Sequence, residues 1–176
     1  MSPEPLTEAQ VHFPVAFERL FHAEYPRLVA IANRVLADRH EAEDVAQEVF
    51  LSFYRKHPAD AGYAAAWLHS ATWHSSLNVL RGNRRREKRE LAVAKDAAPV
   101  LADPEMELIT SERRDEVRTA MRRLPPKAAA VLALRYSGLS YAEVAQAMGV
   151  GIGQVGTLLR RAETRLRKEV TNESPV

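Results

Sequence analysis

The chain has 176 residues, contains no cysteine and carries a formal net charge of +2 at pH 7. This composition excludes a disulfide framework and a thiolate metal site. The sequence shows neither an apolar run of membrane-spanning length nor the layout of a signal peptide, so we expect a cytoplasmic protein without membrane insertion. Residues 1–60 carry ten acidic and six basic side chains, which leaves a net charge of +6 on the remainder. This asymmetry predicts two kinds of partner, a basic protein surface and a polyanion.

Apolar residues recur at helical spacing along the N-terminal half without strand-like alternation, and this pattern predicts an all-α fold. The first apolar stripe begins at Phe17 and is interrupted by Pro26, which we expect either to open a second helix or to kink the first. Asp38 and Glu41 form a candidate capping box for the next helix, which is predicted to extend to about Lys56.

The helix predicted to end near Lys56 has two unlike faces. Val45, Val49 and Phe53 share one face and are predicted to be core. The other face carries a mixed acidic and apolar strip, which consists of Asp44, Gln47, Glu48 and Leu51. Such a strip is either ordinary solvated surface or a docking face for a basic protein helix.

A long helix is predicted from about Ala64 to Arg86 and combines aromatic residues with a basic C-terminal end. Trp67 is predicted to be core. Aromatic rings beside cations suit single-stranded DNA, because bases stack on rings while phosphates meet the charges. The alternative is that both tryptophans fill the core and the arginine run is a solvated helix end. The residues concerned are Trp73, His74, Asn78, Arg81, Arg84, Arg85 and Arg86.

The segment from Glu87 to Thr110 contains two prolines and no clean period, so it is interpreted as a flexible linker with partial helix at its ends. A second block of four helices follows. The helices are predicted near Ser111–Leu124, Lys127–Tyr136, Tyr141–Met148 and Ile152–Lys168.

The last two predicted helices form a helix-turn-helix. Ser140 and Glu143 form a capping box at the start of the first, and Gly149 can adopt the left-handed conformation that ends it. The second helix buries a stripe that includes Val155 and Ala162, while its opposite face is basic and polar. Such a face can reach phosphates or base edges in a major groove, although an ordinary helical hairpin with a solvated basic face has the same periodicity.

No arrangement of residues predicts an active site. The segment Asp38–Asp44 holds the acidic and histidine residues that cluster in the sequence, but it lacks a metal-ligand spacing on one helical face. The sequence also lacks a phosphate-cradling glycine loop and a nucleophile elbow. We therefore expect no catalytic residue, no metal and no cofactor, and a helical metal-dependent enzyme is kept as an alternative that metal analysis of the purified protein would test.

The order of these parts resembles a bacterial sigma factor of the extracytoplasmic-function (group 4) type, the minimal sigma-70 class with only regions 2 and 4. The resemblance extends from about Phe17 to Lys168. Its most specific parts, taken in order, are AEDVAQEVF, the helix that contains AWL, and the block LPP…GLSYAEVA…LRRA. It implies two small helical domains: region 2 over residues 13–88, a linker over 89–109 and region 4 over 110–170.

The resemblance also implies a partner for each surface. The strip Asp44, Gln47, Glu48 and Leu51 would dock on the clamp helices of the RNA polymerase β′ subunit, and region 4 would rest on the β flap. The −10 promoter element would be opened and read by the loop His57–Tyr63 together with Trp73, His74, Asn78, Arg81, Arg84, Arg85 and Arg86. The −35 element would be read by Gln154, Thr157, Arg160, Arg161 and Thr164.

The resemblance further implies an anti-sigma factor as a partner, and it implies no enzymatic activity. The chain departs from the family pattern at Gly156 and Leu158, where the recognition helix often carries Lys or Arg, and Leu158 is expected to pack rather than to contact DNA. The function expected is that of an alternative sigma factor that directs core RNA polymerase to promoters. The alternative is a stand-alone helix-turn-helix regulator that never contacts polymerase.

Overall fold

The computed structural model describes residues 13–93 and 105–173, with side chains described for residues 13–82 and 112–171. These ranges contain seven α-helices and no strand, which confirms the all-α prediction. The helices are α1 Val15–Leu36, α2 Arg39–Lys56, α3 Ala64–Val93, α4 Glu105–Arg123, α5 Pro126–Tyr136, α6 Tyr141–Met148 and α7 Ile152–Glu173. Helices α3 and α4 extend into the predicted linker from both sides, and residues 94–104 between them lie outside the described residues.

Helix α1 continues through Pro26 as a single element. The proline therefore does not open a second helix, since packing of the long apolar stripe holds the turn that lacks one backbone donor. The helix ends at Ala37, which adopts the left-handed conformation at φ 53° and donates its N–H to the carbonyl of Asn33. Helix α2 begins at once, because the Asp38 carboxylate accepts a hydrogen bond from the backbone N–H of Glu41 at 3.0 Å.

The first three helices form one bundle. Its core contains the fully buried side chains Leu28, Ile31, Phe50, Phe53, Leu68 and Leu80. A buried polar pair also joins α1 to α3, with His69 Nε2 lying 2.7 Å from Glu24 Oε2. A buried charged or polar group costs free energy unless it finds a partner, so this pair fixes the rotation of α3 against α1.

Helices α4 to α7 form the second bundle, in which α7 packs on α4, α5 and α6. The predicted capping box of α6 is confirmed: Glu143 N–H donates to the Ser140 hydroxyl at 3.2 Å, and Ser140 N–H donates to the Glu143 carboxylate at 2.8 Å. Gly149 ends α6 at φ 65°, as its sequence position predicts. The turn to α7 is therefore short, and α6 and α7 form the predicted helix-turn-helix.

The two bundles contact each other through α1 and α3 on one side and α4, α5 and α6 on the other. Two ion pairs also join the bundles. Arg27 of α1 meets Glu143 of α6 at 2.8 Å, and Arg118 of α4 meets Glu41 of α2 at 3.1 Å. Within the ranges described, no helix is both long and apolar enough to cross a membrane.

Candidate functional site

The exposed face of α2 carries the strip predicted from the sequence. All four residues of the strip are exposed: Asp44, Gln47, Glu48 and Leu51. Leu51 has 46% of its surface accessible to solvent. Val45, Val49 and Phe53 are buried on the opposite face. The predicted division of α2 into a core face and a solvent face is confirmed, and we call the exposed set the α2 strip.

An apolar groove of about 380 Å³ borders the α2 strip. Its lining includes Phe13, Phe17 and Phe21 from the start of the chain, together with Gln47 and Leu51 of the strip. The sequence analysis missed this groove, although phenylalanines four residues apart before and within α1 signal a single aromatic row. The carboxylates of the α2 strip therefore lie beside an apolar groove that is large enough for a bulky apolar side chain.

The tryptophans of α3 lie differently from the prediction. Trp73 is 7% exposed, whereas Trp67 packs against the core but remains partly exposed. The burial of Trp73 agrees with the alternative in which this ring fills the core, and the ring lines the cavity beside the end of α6. Its contact with DNA stays a prediction. Its indole Nε1 is buried without a hydrogen-bond partner.

His74 lies exposed next to Trp73, and the two rings stack with centroids 3.6 Å apart. Partial burial of the imidazole lowers the pKa of His74 below its ordinary value. The ring is therefore mostly neutral at pH 7, and it can offer a stacking face and one donor rather than a full positive charge.

The rest of the predicted α3 face is exposed where its side chains are described. Asn78 and Arg81 are both exposed and follow the turn that carries His74. Arg84, Arg85 and Arg86 belong to α3, but their side chains lie outside the described residues. All the residues predicted for this face thus lie on α3. Among those whose side chains are described, only Trp73 is buried.

The loop before α3 is held by aromatic contacts. His57 Nδ1 lies 3.3 Å from the Tyr63 hydroxyl, and the His57 ring packs against Phe53 and Trp67 with centroids 5.2 and 4.8 Å away. Tyr63 keeps 50% of its surface exposed. The loop therefore presents an exposed phenol beside a preformed aromatic cluster.

A cavity of about 500 Å³ lies between this part of α3 and the C-terminal end of α6. It is lined on one side by Tyr63, Trp67, Trp73 and His74, and on the other by residues 146–149. The aromatic face predicted to meet single-stranded DNA is thus partly covered by the helix-turn-helix in this arrangement.

The exposed face of α7 carries the five residues predicted for duplex DNA. Gln154, Thr157, Arg160, Arg161 and Thr164 are all exposed, and none of the described residues forms an ion pair with either arginine. Gln154 Oε1 accepts a hydrogen bond from Gly151 N–H at 3.2 Å, which closes the first turn of α7. The Thr164 hydroxyl donates to the carbonyl of Arg160 at 2.9 Å.

The structure explains one of the two departures in α7. Leu158 is partly buried and packs against the core, which confirms that it does not join the exposed face. A Cβ on Gly156 would lie 3.6 Å from the Tyr141 ring, an ordinary contact distance. A Cβ would therefore fit at this position, and nothing in the packing explains the glycine.

The acidic segment Asp38–Asp44 is engaged in structural contacts. Asp38 caps α2, Glu41 accepts a hydrogen bond from Arg118, and Glu43 pairs with Arg39 at 2.8 Å. Within the described part of the chain, no group of three or more His, Asp or Glu side chains is arranged to hold a metal ion.

Comparison with known families identifies both bundles. Residues 20–86 match the model of sigma-70 region 2, and residues 114–166 match the model of sigma-70 region 4. The chain is 32% identical to the ECF RNA polymerase sigma factor SigM of Mycobacterium tuberculosis, over 87% of this chain and 76% of that protein. It is 29% identical to the RNA polymerase sigma-H factor of Pseudomonas aeruginosa, over 87% of this chain and 85% of the relative.

Some relatives are much longer. The chain is 29% identical to SigE of Mycolicibacterium smegmatis over 90% of its own residues but spans only 63% of that relative, and it spans 45% of SigG of Mycobacterium tuberculosis.

Two solved structures share the fold. CnrH in complex with the cytosolic domain of CnrY has a TM-score of 0.58 at 17% identity and covers 90% of this chain and 89% of CnrH. The sigma factor RpoE in complex with the anti-sigma factor NepR from Bartonella quintana has a TM-score of 0.52 at 21% identity, over 90% and 98% of the two chains.

Proposed function

Because this chain belongs to the extracytoplasmic-function sigma factors of the sigma-70 family, we propose that it binds core RNA polymerase and directs it to promoters. The observation that carries the proposal is the presence, on one chain with both sigma regions, of an exposed acidic strip on α2 and an exposed basic face on α7. The role is that of a regulatory subunit in the cytoplasm, where it supplies recognition and no catalysis.

The α2 strip would dock on the clamp helices of the polymerase β′ subunit. Asp44 and Glu48 would attract a basic helix and set its orientation, since complementary charges chiefly affect the rate and specificity of association. Leu51 and the apolar groove would then receive an apolar side chain of the partner, which is the kind of buried contact that dominates binding energy.

Helix α3 and the loop before it would open and read the −10 element. Tyr63 and His74 are exposed and offer ring faces, on which an unpaired base gains about 1–3 kcal/mol by stacking. Arg81 and the following arginines would hold the phosphate backbone without sequence preference. Trp73 would contribute only after the end of α6 moves away from α3, because the cavity between them is lined by that ring.

Helix α7 would read the −35 element in the major groove. Arg160 and Arg161 are exposed and free of ion pairs with the described residues, so their guanidinium groups are available to base edges or phosphates. Gln154 closes the first turn of α7 and would present its amide nitrogen to the groove.

During promoter recognition the two bundles would pass from the packed arrangement to a separated one. The packed arrangement leaves the α2 strip and the α7 face exposed but covers part of α3, so docking on polymerase would precede contact with the −10 strand. Separation of the bundles requires the loss of the Arg27–Glu143 and Arg118–Glu41 pairs. The β flap would then hold region 4 at the spacing that the −35 and −10 elements demand.

An anti-sigma factor is the expected antagonist. Two solved structures that share this fold are complexes, CnrH with the cytosolic domain of CnrY and RpoE with the anti-sigma factor NepR. We propose that a partner of this class holds the chain in a packed arrangement and keeps it from polymerase.

The proposal is tested by core binding of a charge-reversed α2 strip. The double variant Asp44→Lys with Glu48→Lys should bind core polymerase at least about tenfold more weakly, because both carboxylates become repulsive. The matched control is Glu112→Lys with Asp115→Lys, which makes the same charge change on exposed residues of α4. Equal core binding by the two variants and the unaltered chain would instead favour a stand-alone DNA-binding regulator.

A further inference from the structure

A basic groove of about 700 Å³ lies between the C-terminal end of α1 and the helix α4, and the roles proposed above do not use it. One wall comes from the first bundle and the other from the second. The lining residues are Ala30, Asn33, Arg34, Ala37, Arg39, Arg113, Arg114 and Val117, and they include no carboxylate.

The arginines of this groove differ from those elsewhere at the contact between the bundles. Arg27 and Arg118 each meet a carboxylate across that contact. Arg34, Arg113 and Arg114 form no ion pair with any described residue, and Arg39 alone of the four lining arginines does, with Glu43 of its own helix. The groove therefore places three arginines without an ion-pair partner among the described residues on its two walls, so an anion that enters meets positive charge from both bundles.

The chemistry of the lining selects the kind of anion. Guanidinium groups bind phosphate oxygens through paired hydrogen bonds. The volume is far larger than a single phosphate needs and lies within the range of about 300–1,000 Å³ typical of small-ligand pockets. Ala30, Ala37 and Val117 add an apolar surface between the arginines, and Asn33 adds a donor and an acceptor.

We propose that this groove binds a nucleoside polyphosphate. The phosphates would contact Arg34 from the first bundle and Arg113 and Arg114 from the second. The apolar surface formed by the alanines and Val117 would hold the nucleoside. A chain of two or more phosphates, with a charge of about −3 to −4, matches the uncompensated charge of the walls better than a single phosphate does.

The ligand would also hold the two bundles together. Its site exists only while α1 and α4 face each other, so binding favours the packed arrangement by its differential affinity. That arrangement covers part of the α3 face, so the bound ligand should lower the affinity of the chain for single-stranded −10 DNA. By linkage, bound DNA should lower the affinity for the ligand by the same factor. This consequence rests on the proposed function, whereas binding in the groove does not.

Calorimetric titration of the full chain at about 150 mM NaCl tests the site, because weak ionic association is largely screened at that salt concentration. The probes are ATP, GTP and inorganic tripolyphosphate. We expect saturable 1:1 binding of at least one nucleotide below about 1 mM. The double variant Arg113→Ala with Arg114→Ala should bind it at least about tenfold more weakly, as should Arg34→Ala on the opposite wall.

The matched control is Arg19→Ala with Arg55→Ala, which removes two exposed arginines outside the groove and should leave the affinity unchanged. Equal loss in the control and the groove variants overturns the site, as does the absence of saturable binding. Tripolyphosphate that binds as tightly as both nucleotides overturns the nucleoside assignment. Loss of duplex DNA affinity in the groove variants without nucleotide binding overturns the proposal in favour of a DNA backbone contact.

A second titration separates the site from its consequence. The bound nucleotide should weaken binding of a labelled −10 single strand by the unaltered chain but not by the Arg113→Ala, Arg114→Ala variant. Nucleotide binding without any effect on the single strand would overturn the coupling to the packed arrangement while leaving the site standing.

Discussion

Replacement of Trp73 by alanine should destabilise the protein markedly, although this ring belongs to the face proposed to read DNA. The side chain is 7% exposed, and truncation of a buried tryptophan costs about 3–5 kcal/mol. The substitution also removes the buried Nε1 donor, whose missing hydrogen bond destabilises the folded state by about 1–3 kcal/mol. Taking the midpoints of the two ranges, we therefore expect a net loss of about 2 kcal/mol in the free energy of unfolding.

The assay is urea denaturation followed by far-ultraviolet circular dichroism, with Trp67→Ala as the control on the same helix. Trp67 is only partly buried, so its truncation should cost less. Trp73→Phe keeps most of the apolar contact and removes the unpaired donor, and it should lie within about 1 kcal/mol of the unaltered chain. A Trp73→Ala variant as stable as the unaltered chain would refute the reasoning, since the ring would then not be buried in solution.

Three further outcomes are expected. Arg160→Ala and Arg161→Ala should each weaken binding to a −35 duplex by about 1–3 kcal/mol where the lost contact is to a base. Where the lost contact is to a phosphate, the slope of log affinity against log salt concentration should instead fall in magnitude by about one. Unchanged affinity and slope would show that these arginines only face solvent. Leu51→Asp should weaken core polymerase binding while leaving the unfolding curve nearly unchanged, because the side chain is 46% exposed; full binding would exclude the apolar contact. The Ser140 backbone N–H, assisted by Arg27, holds the pKa of Glu143 in the folded protein below its ordinary value. The ionised Glu143 carboxylate therefore stabilises the fold at pH values above its unfolded-state pKa, and this stabilisation is lost as the pH falls through its folded-state pKa. Unfolding curves between pH 7 and about pH 3 should therefore show a smaller acid loss for Glu143→Gln, and parallel curves would contradict this.

The sequence predicted the ends of α6 because these ends are set locally. Ser140 and Glu143 cap α6 through groups three residues apart, and Gly149 ends it through its own backbone freedom. The faces of α2 followed for the same reason, since residues three or four apart share a helical face, which groups Val45 with Val49 and Asp44 with Glu48.

The faces of α3 could not be read in this way. Trp73 is buried beside the end of α6, so its environment depends on residues more than seventy positions away in the chain. The Arg27–Glu143 pair joins residues separated by 116 positions, and no local pattern marks it. The apolar groove beside Leu51 likewise requires the start of α1 to lie across α2, which only tertiary packing decides.

Transcript mapping tests the central claim most directly. Core RNA polymerase is incubated with genomic DNA, with and without the protein, and the 5′ ends of the transcripts are sequenced. The account predicts new start sites that share two sequence elements at the −35 and −10 positions, and their loss with the Asp44→Lys, Glu48→Lys variant. Transcripts whose start sites are the same with and without the protein would contradict it.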